Sequence, residues 1–258
     1  MTKRIVVIPD IQARPNEDFT FLKHIGQYLV KIKPDTLIQI GDFGDLPSLS
    51  THDKPGSKGM EGLRYKKDLE SIHLAMNTLL SPIVTEQKRL IKNKSTPWKL
   101  RKILTLGNHE DRITRAIYND PKLDGLISLD DLKYKEWGWE VYPFLETVEV
   151  EGIAFSHYFV SGIMGRPCTT AQALITKHHM SCFAGHQQGR MIAYSKNAVG
   201  KEITAIIAGS CYTHKEAYLN PQTNTHWRGL YVLNDVCEGS FDEMPVSLKY
   251  LKKRYSKS

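Results

Sequence analysis

Cysteine is scarce in this chain, and what there is lies scattered. Cys168, Cys182, Cys211 and Cys237 form no Cys-x-x-Cys pair, which excludes a disulfide-stapled scaffold and a zinc knuckle. Long apolar runs are missing too. Nothing approaches the ~20 residues that cross a bilayer, and the short run Ile5–Ile8 meets Pro9 and Asp10 before it could form a signal-peptide core. The expectation is a soluble, cytoplasmic protein with no membrane partner. Internal repeats and low-complexity linkers are also lacking, so residues 1–258 read as one domain. That length buries a core without staples. Hydrophobic residues at 41% and charged residues at 24% are ordinary for a globular protein and exclude disorder and fibres.

Charge is present and unevenly spread. The net value is +7, with the surplus in residues 61–120 and 181–258 and an acidic excess in 121–180. A basic surplus either meets an anionic partner, nucleic acid or nucleotide, or serves solubility. The run Lys88–Lys102 holds seven basic residues and no acid, which looks like a nucleic-acid patch. It leads, however, into the start of a strand expected at Lys102–Leu106. A strand of five to six residues is ~17–20 Å long, so the run should lie far from whatever follows that strand. The tail Lys249–Lys257 reads as a mobile solubilising end.

Hydrophobic periodicity orders the rest. Lys3–Pro9, Thr36–Ile40 and Lys102–Leu106 read as buried strands, and the apolar spacing in residues 17–32 predicts an amphipathic helix. Residues 62–93 carry helical periodicity, with Pro82 expected to divide them into two helices. This half reads as βαβ units with a parallel sheet. The second half offers short strands at Thr147–Val150, Ile153–His157, Cys182–Ala184, Met191–Tyr194, Ile203–Ala208 and Leu230–Asn234, with a helix near Thr169–His179. A second sheet packed on the first, with helices outside, gives the expected α/β class and a two-sheet α/β/β/α sandwich.

Polar residues of one chemical kind follow the strands in series. Asp10 and Gln12 follow the first, Asp42 the second, Asn108 and His109 the third; His157 ends the next, and His186 follows Cys182–Ala184. Ligand crevices of α/β sheets lie outside the carboxyl ends of the strands, so these residues should converge. Asp10 and Gln12, two apart, are expected on one side of the strand end. Asp, Asn and His are ligand types for divalent metals. Two ions ~3.5–4 Å apart serve in-line displacement at phosphorus.

Asp10-x-Gln12, Gly41-Asp42, Gly107-Asn108-His109-Glu110, His157 and Gly185-His186-x-Gln188 together resemble the ordered motifs of the calcineurin-like metallophosphoesterases. The whole chain is similar in wording to small phage-encoded members. The resemblance implies one metal held by Asp10, Gln12, Asp42 and Gln188, and a second held by Asp42, Asn108, His157 and His186. Gln12 and Gln188 stand where the family usually has His, so the first site offers oxygen ligands only. Such a site suits Mg²⁺ or Mn²⁺, or it is weakened. The resemblance also implies that His109 sits beside the phosphate and stabilises the transition state or protonates the leaving oxygen; of its sequence neighbours, either Asp111 or Glu110 is a candidate to orient it.

The reaction so implied is hydrolysis of a phosphomonoester by a metal-activated hydroxide, with two divalent ions as cofactors. Resemblance to phage enzymes that strip 5′-phosphates from deoxynucleotides points to a (deoxy)nucleoside 5′-monophosphate as substrate. A metal-dependent nuclease or phosphodiesterase acting on DNA is the alternative, and a non-catalytic binding module on a degenerate fold is a third class. Arg14, Arg112 and Arg166 lie near site residues in sequence and are candidates to clamp a phosphate, or ordinary surface ion pairs. The Gly44–Gly62 segment, directly after Asp42, either lines the entrance or merely connects. Trp227 either stacks on a base or fills a core rim.

Overall fold

The computed structural model describes residues 3–51, 56–215 and 226–256. Part of the Gly44–Gly62 segment, residues 224–225 before Trp227 and Lys257 of the basic tail lie outside the described residues. The chain forms a mixed α/β structure. In the first half β1 (Lys3–Ile8), β2 (Thr36–Gln39), β3 (Arg101–Thr105) and β4 (Glu140–Tyr142) run parallel, joined by α1 (Thr20–Ile32), α2 (Tyr65–Lys92) and α3 (Asp111–Asn119). In the second half β5 (Val148–Val150), β6 (Ile153–Ser156), α4 (Ala171–His178), β9 (Ser181–Ala184), β10 (Arg190–Lys196) and β11 (Glu202–Ala208) build another sheet, ordered β10-β11-β9-β6-β5. A small hairpin of β7 (Val160–Ser161) and β8 (Arg166–Pro167) stands beside it.

The chain then returns. Strands β12 (Gly229–Cys237) and β13 (Ser240–Ser247) join the first sheet, whose order is β13-β12-β1-β2-β3-β4, with β12 antiparallel to β1. The expectation that the whole second half forms the second sheet is corrected here. Leu230–Leu233 are buried on both faces, and the free edge of β1 offers that continuous apolar run a partner with helices on one side and a sheet on the other.

Alternation along β1 sets the layers. Val6 and Ile8 pack among α1 and α2 residues such as Leu22, Leu29, Ile72 and Leu79. Ile5 and Val7 face Phe155, Phe183 and Ile206 of the second sheet. That sheet's other face, with Ala154, Cys182 and Ala205, packs on Leu174 and Ile175 of α4.

Pro82 does not break its helix: α2 is continuous through it. Removing one N–H costs a hydrogen bond, but Ile72, Ala75, Met76, Leu79, Ile83 and Leu90 bury one apolar stripe on both sides of it. The crossing with α1 is close. A Cβ at Gly26 would lie 2.4 Å from the Leu79 carbonyl oxygen and 2.9 Å from the Pro82 ring. The tail is likewise ordered further than expected. Leu248–Tyr255 forms α5, whose Leu248 and Leu251 are buried while its lysines face outward.

Candidate metal centre

The parallel strands end on one edge, and the residues after them meet there. Ile11 and Gln12 both donate their backbone N–H to the Asp42 carbonyl oxygen (3.0 and 2.8 Å), so the first two loops are bonded together. Cys211, just past β11, donates its N–H to the Asp10 carbonyl oxygen (2.7 Å). Simple strand alternation does not explain Asp10 and Gln12. β1 ends at Ile8, and Gln12 has φ +48°. Asp42 and His186 share this left-handed backbone, at +52° and +63°. Such strain costs of order 1 kcal/mol or more and clusters where function requires it.

Four ligand-type atoms converge. His157 Nε2 lies 3.3 Å from Asp42 Oδ2 and 2.8 Å from Asn108 Oδ1. His186 Nδ1 lies 2.9 Å from the same Asn108 oxygen. Ligand atoms of Asp42, His157 and His186 all fall within 4.8 Å of one another. His157 donates its Nδ1–H to the Ile40 carbonyl oxygen (2.9 Å), so its Nε2 is the atom turned to the cluster. This cluster of one carboxylate and two imidazoles can hold a metal ion. With Asn108 it makes up the four residues expected as the second ligand set.

The first set is less complete. Asp10 is fully buried; its Oδ1 accepts the His186 N–H (3.1 Å), and its Oδ2 has no hydrogen-bond partner among the described residues. A buried carboxylate oxygen without a partner is costly, and a bound cation or water would relieve that cost. Gln12 is buried beside it in sequence, held by the Asp42 carbonyl. Gln188 turns its Oε1 to accept the Tyr212 hydroxyl (2.7 Å).

Electrostatics bear the mark of crowded, buried charge. Burial pushes the Asp10 carboxyl up to about 7, with His157 opposing and Asp42 adding to the rise. Asp42 goes the other way: burial would raise it, but His109 and His157 hold it well below the usual carboxylate range. Burial also works against a charged His157, yet Asp42 and Asp10 push that imidazole up to about 9. His186 falls to about 4 through burial and the neighbouring His157.

His109 is not oriented by Glu110 or Asp111. Its Nδ1 lies 2.8 Å from Asp45 Oδ1, and the Arg112 guanidinium donates to the Asp45 carbonyl oxygen (2.7 Å) and stands 3.3 Å from His109 Nε2. His109 Nε2 is 3.7 Å from Asp42 Oδ2, at the border of the ligand cluster. Although burial disfavours its charged form, Asp42 and Asp45 raise the His109 pKa.

Asp45 and Arg112 were the missed partners of His109. Asp45 sits three residues beyond Asp42 in the same loop, and that spacing was the available signal. Glu110 has another task. Fully buried, it accepts the N–H groups of Asp42 (3.0 Å), Gly44 (2.9 Å) and Gly107 (2.8 Å), and the Tyr134 hydroxyl (3.1 Å). Gly107 permits that closeness, since a Cβ there would fall 2.1 Å from Asp42 Oδ1.

No family model matches the chain. Gene 54 protein of Mycobacterium phage L5 is 43% identical over 70 residues, covering 27% of this chain and 27% of that protein. The chain therefore matches only about a quarter of that relative's length. A solved crystal structure at 9% identity covers 96% of this chain and 100% of its own, with a TM-score of 0.47. TT1561 of Thermus thermophilus covers 95% and 99% at 8% identity, with a TM-score of 0.33. Likeness at this level assigns neither family nor activity. The site must be judged on its own residues.

The remaining candidates divide. Arg14 joins the Asp45 group, with a guanidinium nitrogen 3.5 Å from Asp45 Oδ2 and another 3.4 Å from the Lys215 carbonyl oxygen. Arg166 is exposed in the β7–β8 hairpin. Trp227 packs against Tyr231 and under the Arg190 guanidinium, 5.2 Å from its ring, as a rim aromatic. The Lys88–Lys102 run lies at the opposite edge of the sheet: Trp98 donates to the Pro34 carbonyl oxygen and Arg101 to that of Asp35, both just before β2 begins. No described helix is long and apolar enough to cross a membrane.

Proposed function

We propose that the protein is a divalent-metal-dependent phosphomonoesterase on a two-sheet sandwich of the calcineurin-like metallophosphoesterase type. Its proposed substrates are (deoxy)nucleoside 5′-monophosphates. The observation that carries this reading is the convergence of Asp42 Oδ2, Asn108 Oδ1, His157 Nε2 and His186 Nδ1 next to the partnerless Asp10 Oδ2. The order helix, sheet, sheet, helix and the motifs around Gly41, Gly107 and Gly185 support the fold assignment. The phage relative supports a phage setting. All four cysteines are free, in keeping with work in the cytoplasm, the host's if the gene is a phage's.

Asp42, Asn108, His157 and His186 would hold one Mn²⁺ or Mg²⁺; Asp10, Asp42, Gln12 and Gln188 would hold the other. Bound ions supply charge to the phosphoryl oxygens and a water made acidic enough to attack phosphorus at neutral pH. The chain's own residues do the rest. Buried Asp42 keeps its negative charge for the cations, with buried Asp10 as a second carboxyl ligand. His109, fixed through its Nδ1–H on Asp45, presents Nε2 beside Asp42, where it can stabilise added charge or protonate the leaving oxygen. Arg112 holds Asp45 in place from behind.

The decisive assay uses purified protein on deoxynucleoside monophosphates, a bis-ester chromogen and linear DNA in parallel. Excess chelator should abolish hydrolysis of the monophosphates, and Mn²⁺ or Mg²⁺ should restore it better than Zn²⁺. Full activity in chelator would sink the mechanism. Preferred cleavage of DNA would make the nuclease reading the right one.

A further inference from the structure

Beside the ligand cluster lies a cavity of about 700 Å³ that the chemistry above does not use. Leu106, Val141, Pro143 and Phe144 give it apolar walls. Asp111, Asp130, Lys133, Lys135 and Glu136 place charged groups around them. Its volume lies in the ~300–1,000 Å³ range of small-ligand sites, whose usual lining is apolar with a few polar groups.

Three lining residues connect this cavity to the surroundings of the ligand cluster. Phe144 stands 6.4 Å, ring to ring, from His157 and 5.5 Å edge-on from Tyr158, whose ring in turn lies 4.9 Å from His186. Asp111, another lining residue, is ion-paired to Arg115 (3.1 Å), and Arg115 donates to the Asn108 carbonyl oxygen (2.7 Å). Tyr134, a third lining residue, is bonded to Glu110. The cavity's lining thus touches His157 through Phe144 and reaches the Asn108 backbone through Arg115.

We infer that this cavity receives the organic group of the phosphoester, and that the group it fits is a nucleobase. The inference rests on the phosphoesterase reading and adds a site for the rest of the substrate. A flat aromatic ring suits walls of Leu, Val, Pro and Phe. The amine and carbonyl edges of a base find carboxylates (Asp130, Glu136) and ammonium groups (Lys133, Lys135) within the same lining. A sugar phosphate without a base offers nothing to the apolar walls, and burying their area against a ring is the term that distinguishes the two substrates.

The test uses the full-length, Mn²⁺-loaded protein and two substrates, deoxyadenosine 5′-monophosphate and ribose 5-phosphate. Leu129→Trp at the half-exposed lip and Val141→Trp in the wall would each fill the cavity. Circular dichroism and melting temperature identify any variant that fails to fold. Each folded variant should lower the nucleotide's kcat/KM relative to that of ribose 5-phosphate by at least about tenfold, the scale of one or two kcal/mol of lost apolar contact. In a separate arm, deoxyadenosine without phosphate is titrated by calorimetry, and binding should weaken by a similar factor in the variants. An unmoved substrate ratio with unmoved nucleoside binding overturns the inference. If no phosphoester is hydrolysed by the wild type, the phosphoesterase reading fails, and the nucleoside titration still decides the cavity.

Discussion

The two edges of the first sheet both gather charged and polar side chains, and they treat them differently. At the amino edge the charges are matched, and all but Glu86 lie near water. Glu86 accepts from Arg89 (2.7 and 2.9 Å) and pairs with Lys33 (3.0 Å), and Arg101 grips Glu140 with bonds of 3.0 and 2.7 Å. At the carboxyl edge the groups are buried and crowded, with one oxygen of Asp10 left without a partner and the Asn108 oxygen facing two imidazoles. Exposed pairs are worth a few tenths of a kcal/mol to about one. Burying an unmatched carboxylate costs several. Where a chain carries the larger cost, the arrangement serves something other than stability.

Removing a ligand should give the largest contrast between the edges. His186→Ala, at a partly exposed position, should lower phosphatase activity by on the order of 10³-fold, the several kcal/mol a metal contributes. Calorimetry with Mn²⁺ should show a lost or weakened site while the melting temperature holds. Wild-type Mn²⁺ binding by this variant would remove His186 from the ligand set.

His109→Ala comes next. It should cost about 10²-fold in kcat on a substrate with a poor leaving group while metal content stays whole. Unchanged turnover would strip His109 of its role.

The pH dependence of metal affinity is smaller again and has a definite sign. His157 is raised to about 9, so near neutrality its ring carries a proton that an incoming cation must displace. Mn²⁺ affinity should therefore climb with pH, by up to about tenfold per unit, and level off as pH passes the histidine's own value. A flat profile from pH 6 to 8 would show that His157 binds no metal.

The amino edge should give the smallest effect. Replacing Lys88, Lys92 and Lys94 with Gln should leave nucleotide kcat/KM within about twofold, and the wild-type KM should change only a few-fold between ~50 and 200 mM salt. A nuclease gripping DNA through this run would instead show affinity falling by ~0.9 log units per contacted phosphate for each log unit of salt.

The site was more legible in the sequence than the path of the chain. Asp10, Asp42, Asn108, His157 and His186 announce themselves because each follows an apolar strand and strand direction is shared. Asp45 and Arg112 carry no such mark: Asp45 lies in a loop that only folding brings to His109, and Arg112, though three residues from His109 in sequence, shows its bond to Asp45 only in the fold. The role of Glu110 was equally hidden, since its partners are backbone N–H groups, which every residue owns. Leu230–Asn234 of β12 read correctly as a strand and β13 was not foreseen, and periodicity says nothing about which sheet takes either. Pro82 misled because local propensity was weighed without the apolar stripe that carries α2 past it.

Glu110 has one more consequence. By tying the backbone after β2 to that after β3, it makes two loops of different origin behave as a single rigid piece. Ions bound there would not have to organise the protein around themselves, as they do in zinc fingers that collapse without metal. They would enter a socket already shaped by folding. A molecule without cations is then expected to keep its architecture, and to take up a suitable ion without passing through the unfolded chain.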